Sequence, residues 1–432
     1  MSEEAREVAH GRRLPPTIVL LGFTSLFTDV GTEMIFPLLP VFLTETLGAG
    51  PTYLGLVEGT ADAVSSLMKL VSGALADVLP RRKPIVLFGY VLASSVRPFV
   101  ALATKPWHAL GVRVVDRIGK GVRSSPRDAL IADVAGDRAG RAFGFHQAMD
   151  NVGAVVGPLL ATMLLAAHFS IRNVFWIAAV PGAAATMLVA LVRERDRRPS
   201  PAAPALAPTP TRTPTPTPTG DSLGGTEDNG AAVAIRREDA SGHVDRRMLL
   251  YLGILGLFSL GNSSDAFLLL RARSLGLTTA EVPVLWSVLN LSKVVWAYWG
   301  GDWADRVPRA RLIAGGWIIF ALVYAGLGIS TAEWQVWALF VVYGVFYGLT
   351  EPVEKALVKD LAREGRRGRA YGAYNFVVGV AALPAGLLTG ALWRAFGPLM
   401  ALGTGAALAT TASALLLIWE SWRLRPADPA RR

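Results

Sequence analysis

Two pairs of carboxylates sit in strongly apolar stretches of the chain, Asp29 with Glu33 and Glu58 with Asp62. Each pair is four positions apart, which puts both groups on one face of a helix. A carboxylate in hydrocarbon costs about 3 kcal/mol on insertion scales. These groups must therefore face water, a counter-charge or a proton, and so serve as ion-pair partners or as proton carriers. Candidate counter-charges follow at Arg113, Arg117, Lys120 and Arg127, which advance by four, three and seven and draw a basic stripe along one helix side. Asp116 and Asp128 interrupt the stripe. It cannot face lipid; it lines an aqueous cavity, pairs with the acids upstream, or does both. His146 and Asp150 share a further face, where the imidazole suits either packing or proton transfer. Later in the chain come Asp265 and then Glu351, Glu354 and Lys355, with Lys69, Asn262, Asn290 and Lys293 as further polar positions in apolar runs.

The chemistry on offer is exchange of protons and ion pairs rather than bond making. With no cysteine, disulfides and thiolate ligands are excluded. His10, His108, His146, His168 and His243 are scattered, no Ser-His-Asp arrangement or phosphate-binding glycine loop is present, and neither metal nor cofactor is expected. An enzyme and an ATP-driven pump are therefore disfavoured.

The elements that must position these groups are membrane helices. The chain is 52% hydrophobic and 18% charged, with a mean hydropathy of +0.40, against roughly 45–50% apolar and about a quarter charged in soluble domains. Apolar runs long enough to cross roughly 30 Å of hydrocarbon recur at 17–43, 52–76, 84–104, 107–132, 142–168, 172–193, 248–270, 280–302, 311–330, 334–358, 370–393 and 397–419. The fourth and tenth are the weakest, because each carries charge. The fold class is thus all-α integral membrane, with twelve transmembrane helices as two pseudo-symmetric six-helix bundles.

Charge sets the orientation. The formal net charge is +10, which in a soluble protein would suggest nucleic acid. Here the basic clusters, among them Arg81 to Lys83, Arg193 to Arg198, Arg306 to Arg311 and Arg363 to Arg369, all fall on one side of a twelve-span layout. By the positive-inside rule that side is cytoplasmic. Both termini are expected there, in a multi-pass protein of the cell membrane acting as a monomer with lipid, a small-molecule substrate and protons as partners. Residues 1–15 lack the apolar core of a removable leader.

The layout is one module written twice. Gly73, Asp77 and Arg81 recur as Gly301, Asp305 and Arg309, and Gly140-Arg141-Ala142-Phe143-Gly144 recurs as Gly368-Arg369-Ala370-Tyr371-Gly372 at the same separation. Between the copies, 195–245 is charged, then rich in Pro and Thr, as expected of an extended linker. This divides the chain into bundle 1–194, linker 195–245 and bundle 246–432.

With those residues in view, the chain resembles the major facilitator superfamily over nearly its whole length. Gly73 to Lys83 is similar to that family's loop between helices 2 and 3, although Val78 and Pro80 depart from its usual residues. Arg117-Ile118-Gly119-Lys120-Gly121 is similar to its helix 4 arginine motif, associated with proton transfer. Gly153-Ala154-Val155-Val156-Gly157-Pro158 is similar to the helix 5 motif of proton-coupled antiporters that export small molecules. The resemblance implies two halves rocking about a midplane site, with gate residues at Gly73, Asp77, Arg81, Gly301, Asp305 and Arg309. It implies an exporter by proton antiport, the alternative being a proton symporter that imports a small organic anion. Proton coupling is expected at Asp29, Glu33 and Asp150. The substrate cavity is expected to draw on Glu58, Asp62, Arg113, Arg117, Lys120, Arg127, His146, Asp265, Glu351, Glu354 and Lys355. Gly153, Gly157 and Pro158 shape helix 5.

Overall fold

A computed structural model describes residues 14–135, 139–194, 246–362 and 367–423. The linker 195–245, with His243, and the N-terminal residues 1–13, with His10, lie outside the described residues, as do the side chains of Asp77, Asp305 and Arg369 and the surroundings of Gly140 and Gly301.

The described chain is helical, without strands. In the first half the helices are α1 (Pro16–Ile35), α2 (Pro51–Val78), α3 (Lys83–Val96), α4 (Pro106–Ala135), α5 (Ala139–Ala166) and α6 (Ile171–Ile177 with Ala179–Leu191). The second half holds α7 (Arg246–Gly261 with Ala266–Ser274), α8 (Glu281–Arg306), α9 (Arg309–Ile329) and α10 (Glu333–Leu361). A final helical stretch, Arg367–Arg423, is divided at Gly397, whose φ of 83° turns the chain back. That gives α11 (367–396) and α12 (398–423). Proline at the first helical position starts α1, α2 and α4, where its missing N–H is not needed. Pro37 and Pro40 interrupt the α ladder beyond Ile35, so α1 continues through a 3₁₀ turn and a π turn to Thr46.

Eight helical stretches among the described residues are long and apolar enough to cross a membrane, the last comprising α11 and α12. Those left out are α2, α4 and α8. Sequence reading marks α4 and α10 as weak, but α10 qualifies. Its charges lie at its two ends and leave 334–350 uncharged, whereas those of α4 run through the length of the helix.

Each half has its own core. Tyr251, Trp317, Phe320 and Tyr343 anchor the second; Phe42 and Phe175 anchor one cluster of the first, and Ile18 and Tyr90 another. The described ends at Leu14 and Arg423, the α2–α3 turn and the α8–α9 turn share one side of the molecule, called here the terminus side. There the basic turns are clamped within their own halves. Arg82 Nη1 pairs with Asp133 at 2.6 Å, and the Arg82 and Lys83 amides both donate at 2.8 Å to the Glu194 carboxylate, which caps the start of α3. In the second half Arg309 pairs with Asp360 and Arg311 approaches Glu420 at 3.9 Å. Positions 82 and 309 are separated by the same interval as 133 and 360, one residue less than Gly73 from Gly301, so each half carries a corresponding clamp shifted by one position from the sequence repeat. The first clamp includes Arg82, which is buried beside the exposed Arg81.

Between the halves, hydrogen bonds and ion pairs among the described residues lie on the opposite, far side or near the middle. Arg273 Nε reaches Glu45 Oε1 at 2.7 Å, Thr52 donates to the Gly390 carbonyl at 3.0 Å and Thr162 to that of Ala280 at 3.0 Å. Nearer the middle, Ser287 and Asn290 donate to the Val155 and Ala154 carbonyls at 3.1 and 3.3 Å. The far side is closed. Glu45 and Arg273 are 46% and 29% exposed, and pairs so wet contribute about 0.2–1 kcal/mol. Glu45→Gln is accordingly expected to raise the far-side-open fraction by up to about fivefold, measured as faster labelling of a cysteine introduced at Thr46. Unchanged labelling would show that the pair does not hold the far side shut.

Candidate functional site

A cavity of about 390 Å³ lies at the seam between the halves. Its first wall comes from α1, α2 and α4, whose apolar faces pack outward and leave the charged face inward. Glu33, Glu58, Asp62, Lys69, Arg117 and Lys120 line it. The opposite wall is built around a break in α7. Asn262-Ser263-Ser264-Asp265 follows Gly261, and its short polar side chains compete with the helix ladder for backbone groups. Tyr324 donates to the Ser263 carbonyl at 3.1 Å, and Ser264 Oγ accepts from the Ala266 amide at 3.3 Å. Non-helical backbone at this depth is tolerated because it borders a polar cavity.

Asp265, at the break, accepts from the Tyr343 and Tyr347 hydroxyls, both at 2.8 Å, and Lys293 Nζ stands 4.0 Å away. Lys293 also lies 3.6 Å from the centre of the Tyr347 ring, a cation–π arrangement. Glu33 accepts from Trp286 Nε1 at 2.6 Å, a hydrogen bond between α1 and α8 and so between the halves. Phe36 and Trp286 close the far end, their ring centres 4.9 Å apart.

The helix 5 glycines explain how α1 comes to lie here. A Cβ on Gly153 would sit 2.6 Å from the Leu26 carbonyl oxygen and 2.9 Å from the Asp29 Cβ; one on Gly157 would sit 2.6 Å from the Val30 oxygen and 3.0 Å from the Glu33 Cβ. The small residues therefore let α5 press against α1 at the two carboxylate-bearing positions. Helix α5 continues through Pro158.

Of the residues expected in the cavity wall, Glu58, Asp62, Arg117, Lys120 and Asp265 line it. The others lie elsewhere, for separate reasons. Arg113 is behind the wall, in a two-point bond to Glu58 at 3.0 and 2.9 Å. Arg127 lies farther toward the terminus side, where it bonds to the adjacent Asp128 at 2.8 Å. His146 is buried 3.6 Å from Asp150, with Nε2 unpartnered. Glu351 and Lys355 pair with each other at 3.3 Å on the surface. Glu354 is buried in the second core, accepting from Tyr374 at 2.8 Å and Trp317 at 3.2 Å. Among the expected proton carriers only Glu33 lines the cavity. Asp29 lies one turn away against α5, and Asp150 accepts a hydrogen bond from Ser25.

The wall also holds Trp286, Tyr347 and the serines of the α7 break, which sequence reading did not single out. Tyr343 and Tyr347, four apart on one face of α10, were the available signal for the partners of Asp265. Arg97, just past the end of α3, is the buried partner of Asp116 at 2.8 Å.

Solved structures with the same backbone arrangement include the nucleoside transporter NupG, with a TM-score of 0.72 at 12% identity over 94% of this chain and 99% of that one. The POT family transporter PepTSo gives 0.73 at 13% identity over 96% and 99%. At these identities the likeness is one of fold. An uncharacterized MFS-type transporter of Methanocaldococcus jannaschii is 29% identical over 413 residues, 94% of this chain and 95% of its own length. The multidrug resistance protein MdtH of Photorhabdus laumondii is 29% identical over 170 residues, 39% of this chain and 41% of its own length. The family model described as Major Facilitator Superfamily matches residues 21–383 and 249–432. Because that match runs through both bundles and the seam between them, the chain belongs to the Major Facilitator Superfamily, as a multi-pass membrane transporter of small molecules.

Proposed function

We propose that this transporter is a proton-coupled antiporter that exports a small organic molecule by alternating access. The bundles 1–194 and 246–432 are the moving bodies, joined by the linker 195–245, and the basic terminus side faces the cytoplasm. One observation carries the coupling: Glu33 both lines the cavity and accepts the Trp286 hydrogen bond that joins the halves. A charged acceptor makes that bond roughly twice as strong as a neutral one. Protonation of Glu33 therefore weakens a tie between the halves. Asp29, one turn away, and Asp150 form the path behind it. Gly73, Asp77 and Arg81, with Gly301, Asp305 and Arg309, are the terminus-side gates, exchanging partners as that side closes. Export is favoured by the Gly153 to Pro158 segment and by the partial likeness to multidrug resistance proteins.

In proteoliposomes, Glu33→Gln and Asp29→Asn are each expected to reduce pH-gradient-driven accumulation at least ~10-fold, the scale of losing one charge-assisted hydrogen bond of ~1.5–3 kcal/mol. Counterflow of substrate without a gradient should persist. Full gradient-driven transport in both variants would remove these residues from coupling. The second reading, symport of a small organic anion, is favoured by the three cations Lys69, Arg117 and Lys120 in the first wall. Inverted vesicles separate the two, since reversing the gradient drives flux in opposite senses.

A further inference from the structure

We infer that the cavity takes a small, hydroxyl-bearing organic anion, a phosphate ester or a sugar acid, whose charged group is held by Arg117, Lys120 and Lys69. The inference deepens the transport reading above and rests on it. The buried arginines nearest this wall differ in their partners. Arg97 and Arg113 are saturated, the first bonded to Asp116 at 2.8 Å and the second to Glu58 at 2.9 Å. Arg117 is not. It is 6% exposed and lines the cavity, its Nε has no hydrogen-bond partner, and it has no ion-pair partner among the described residues.

A guanidinium so desolvated without an acceptor is costly, and a carboxylate or phosphate group meets its fork at two points. Lys120, one turn along α4, and Lys69, across on α2, line the same cavity and likewise have no ion-pair partner among the described residues. The acids facing them are limited. Glu58 is committed to Arg113, and Asp265 has Lys293 alongside. Glu33 and Asp62 remain in the wall, and two carboxylates do not neutralise three cations. The rest of the ligand meets hydroxyl and amide groups, Ser65 and Ser66 on α2 and Ser259, Asn262, Ser263 and Ser264 at the α7 break. Such a wall suits hydroxyl groups better than an apolar body.

The test is thermal unfolding of the full-length protein in detergent with four probes: glucose 6-phosphate, gluconate, glucose and tetraphenylphosphonium. At least one of the two anions should raise the melting temperature, and neither glucose nor the cation should. Arg117→Gln and Lys120→Gln should each weaken the anion's apparent affinity at least ~10-fold, while Lys355→Gln on the surface leaves it unchanged. If Arg117→Gln does not fold, Lys120→Gln carries the test alone. Stabilisation by the cation and not by the anions, stabilisation by none of the four, or an anion effect indifferent to these substitutions overturns the inference. Anion binding that persists with no response of transport to a pH gradient would instead overturn proton coupling and leave the substrate class standing.

Discussion

Gly55→Val is expected to stop transport by preventing the far side from closing. Helices α2 and α11 meet between the halves with no side chain between them. A Cβ on Gly55 would overlap the carbonyl of Gly386, and one on Gly386 would overlap that of Gly55. The same closeness runs along the seam: a Cβ on Gly59 would lie 2.7 Å from the Leu383 Cα, and one on Gly390 2.6 Å from the Pro51 oxygen. Overpacking a core costs about 1–3 kcal/mol where side chains can adjust. A backbone carbonyl cannot rotate aside, so the upper end applies, and ~3 kcal/mol shifts a two-state equilibrium by roughly a hundredfold. Only the far-side-closed state bears this cost, because the helices must separate when that side opens. The variant should therefore fold and insert, label rapidly at a far-side reporter cysteine, and transport at less than about a tenth of the wild-type rate. Gly253→Ala, where no atom lies within 4 Å of the new Cβ, is the matched control. Wild-type transport by the Gly55 variant would show that far-side closure is not part of the cycle.

The largest loss of stability is expected at Glu58. Its carboxylate and the Arg113 guanidinium are 2% and 8% exposed and joined at two points. Glu58→Gln leaves a buried cation with one weak neighbour, Asp116 at 3.8 Å, itself committed to Arg97. Breaking one member of such a pair costs about 3–5 kcal/mol, whereas removing both charges is often close to neutral. Glu58→Leu combined with Arg113→Met should therefore melt nearer to the wild type than Glu58→Gln does, measured by thermal unfolding in detergent. If Glu58→Gln melts with the wild type, the pair contributes nothing to stability and Arg113 finds its counter-charge elsewhere.

The membrane architecture was legible because it depends on local properties. Apolar run length, prolines at helix starts and the repeat of Gly73 to Arg81 at Gly301 to Arg309 survive any arrangement of neighbours. The carboxylate faces were legible for the same reason, since four residues make about one helical turn. What each charge does was not. Arg113 and Arg117 differ by one turn of α4, yet one is locked to Glu58 and the other faces the cavity with no ion-pair partner among the described residues. Glu354 looked like a cavity acid and is instead held by Tyr374 and Trp317 inside a core. These outcomes depend on the rotation of each helix about its own axis, which is set by packing with helices distant in sequence.

By itself, then, the sequence determined that this is a duplicated, twelve-helix membrane protein with ionisable groups inside it, because hydrocarbon penalises every polar group the same way wherever its neighbours are. Only the tertiary structure decided which of those groups are neutralised, which meet across the halves and which face the cavity. An ion pair needs two atoms within a few ångströms, and that distance is fixed by helix packing.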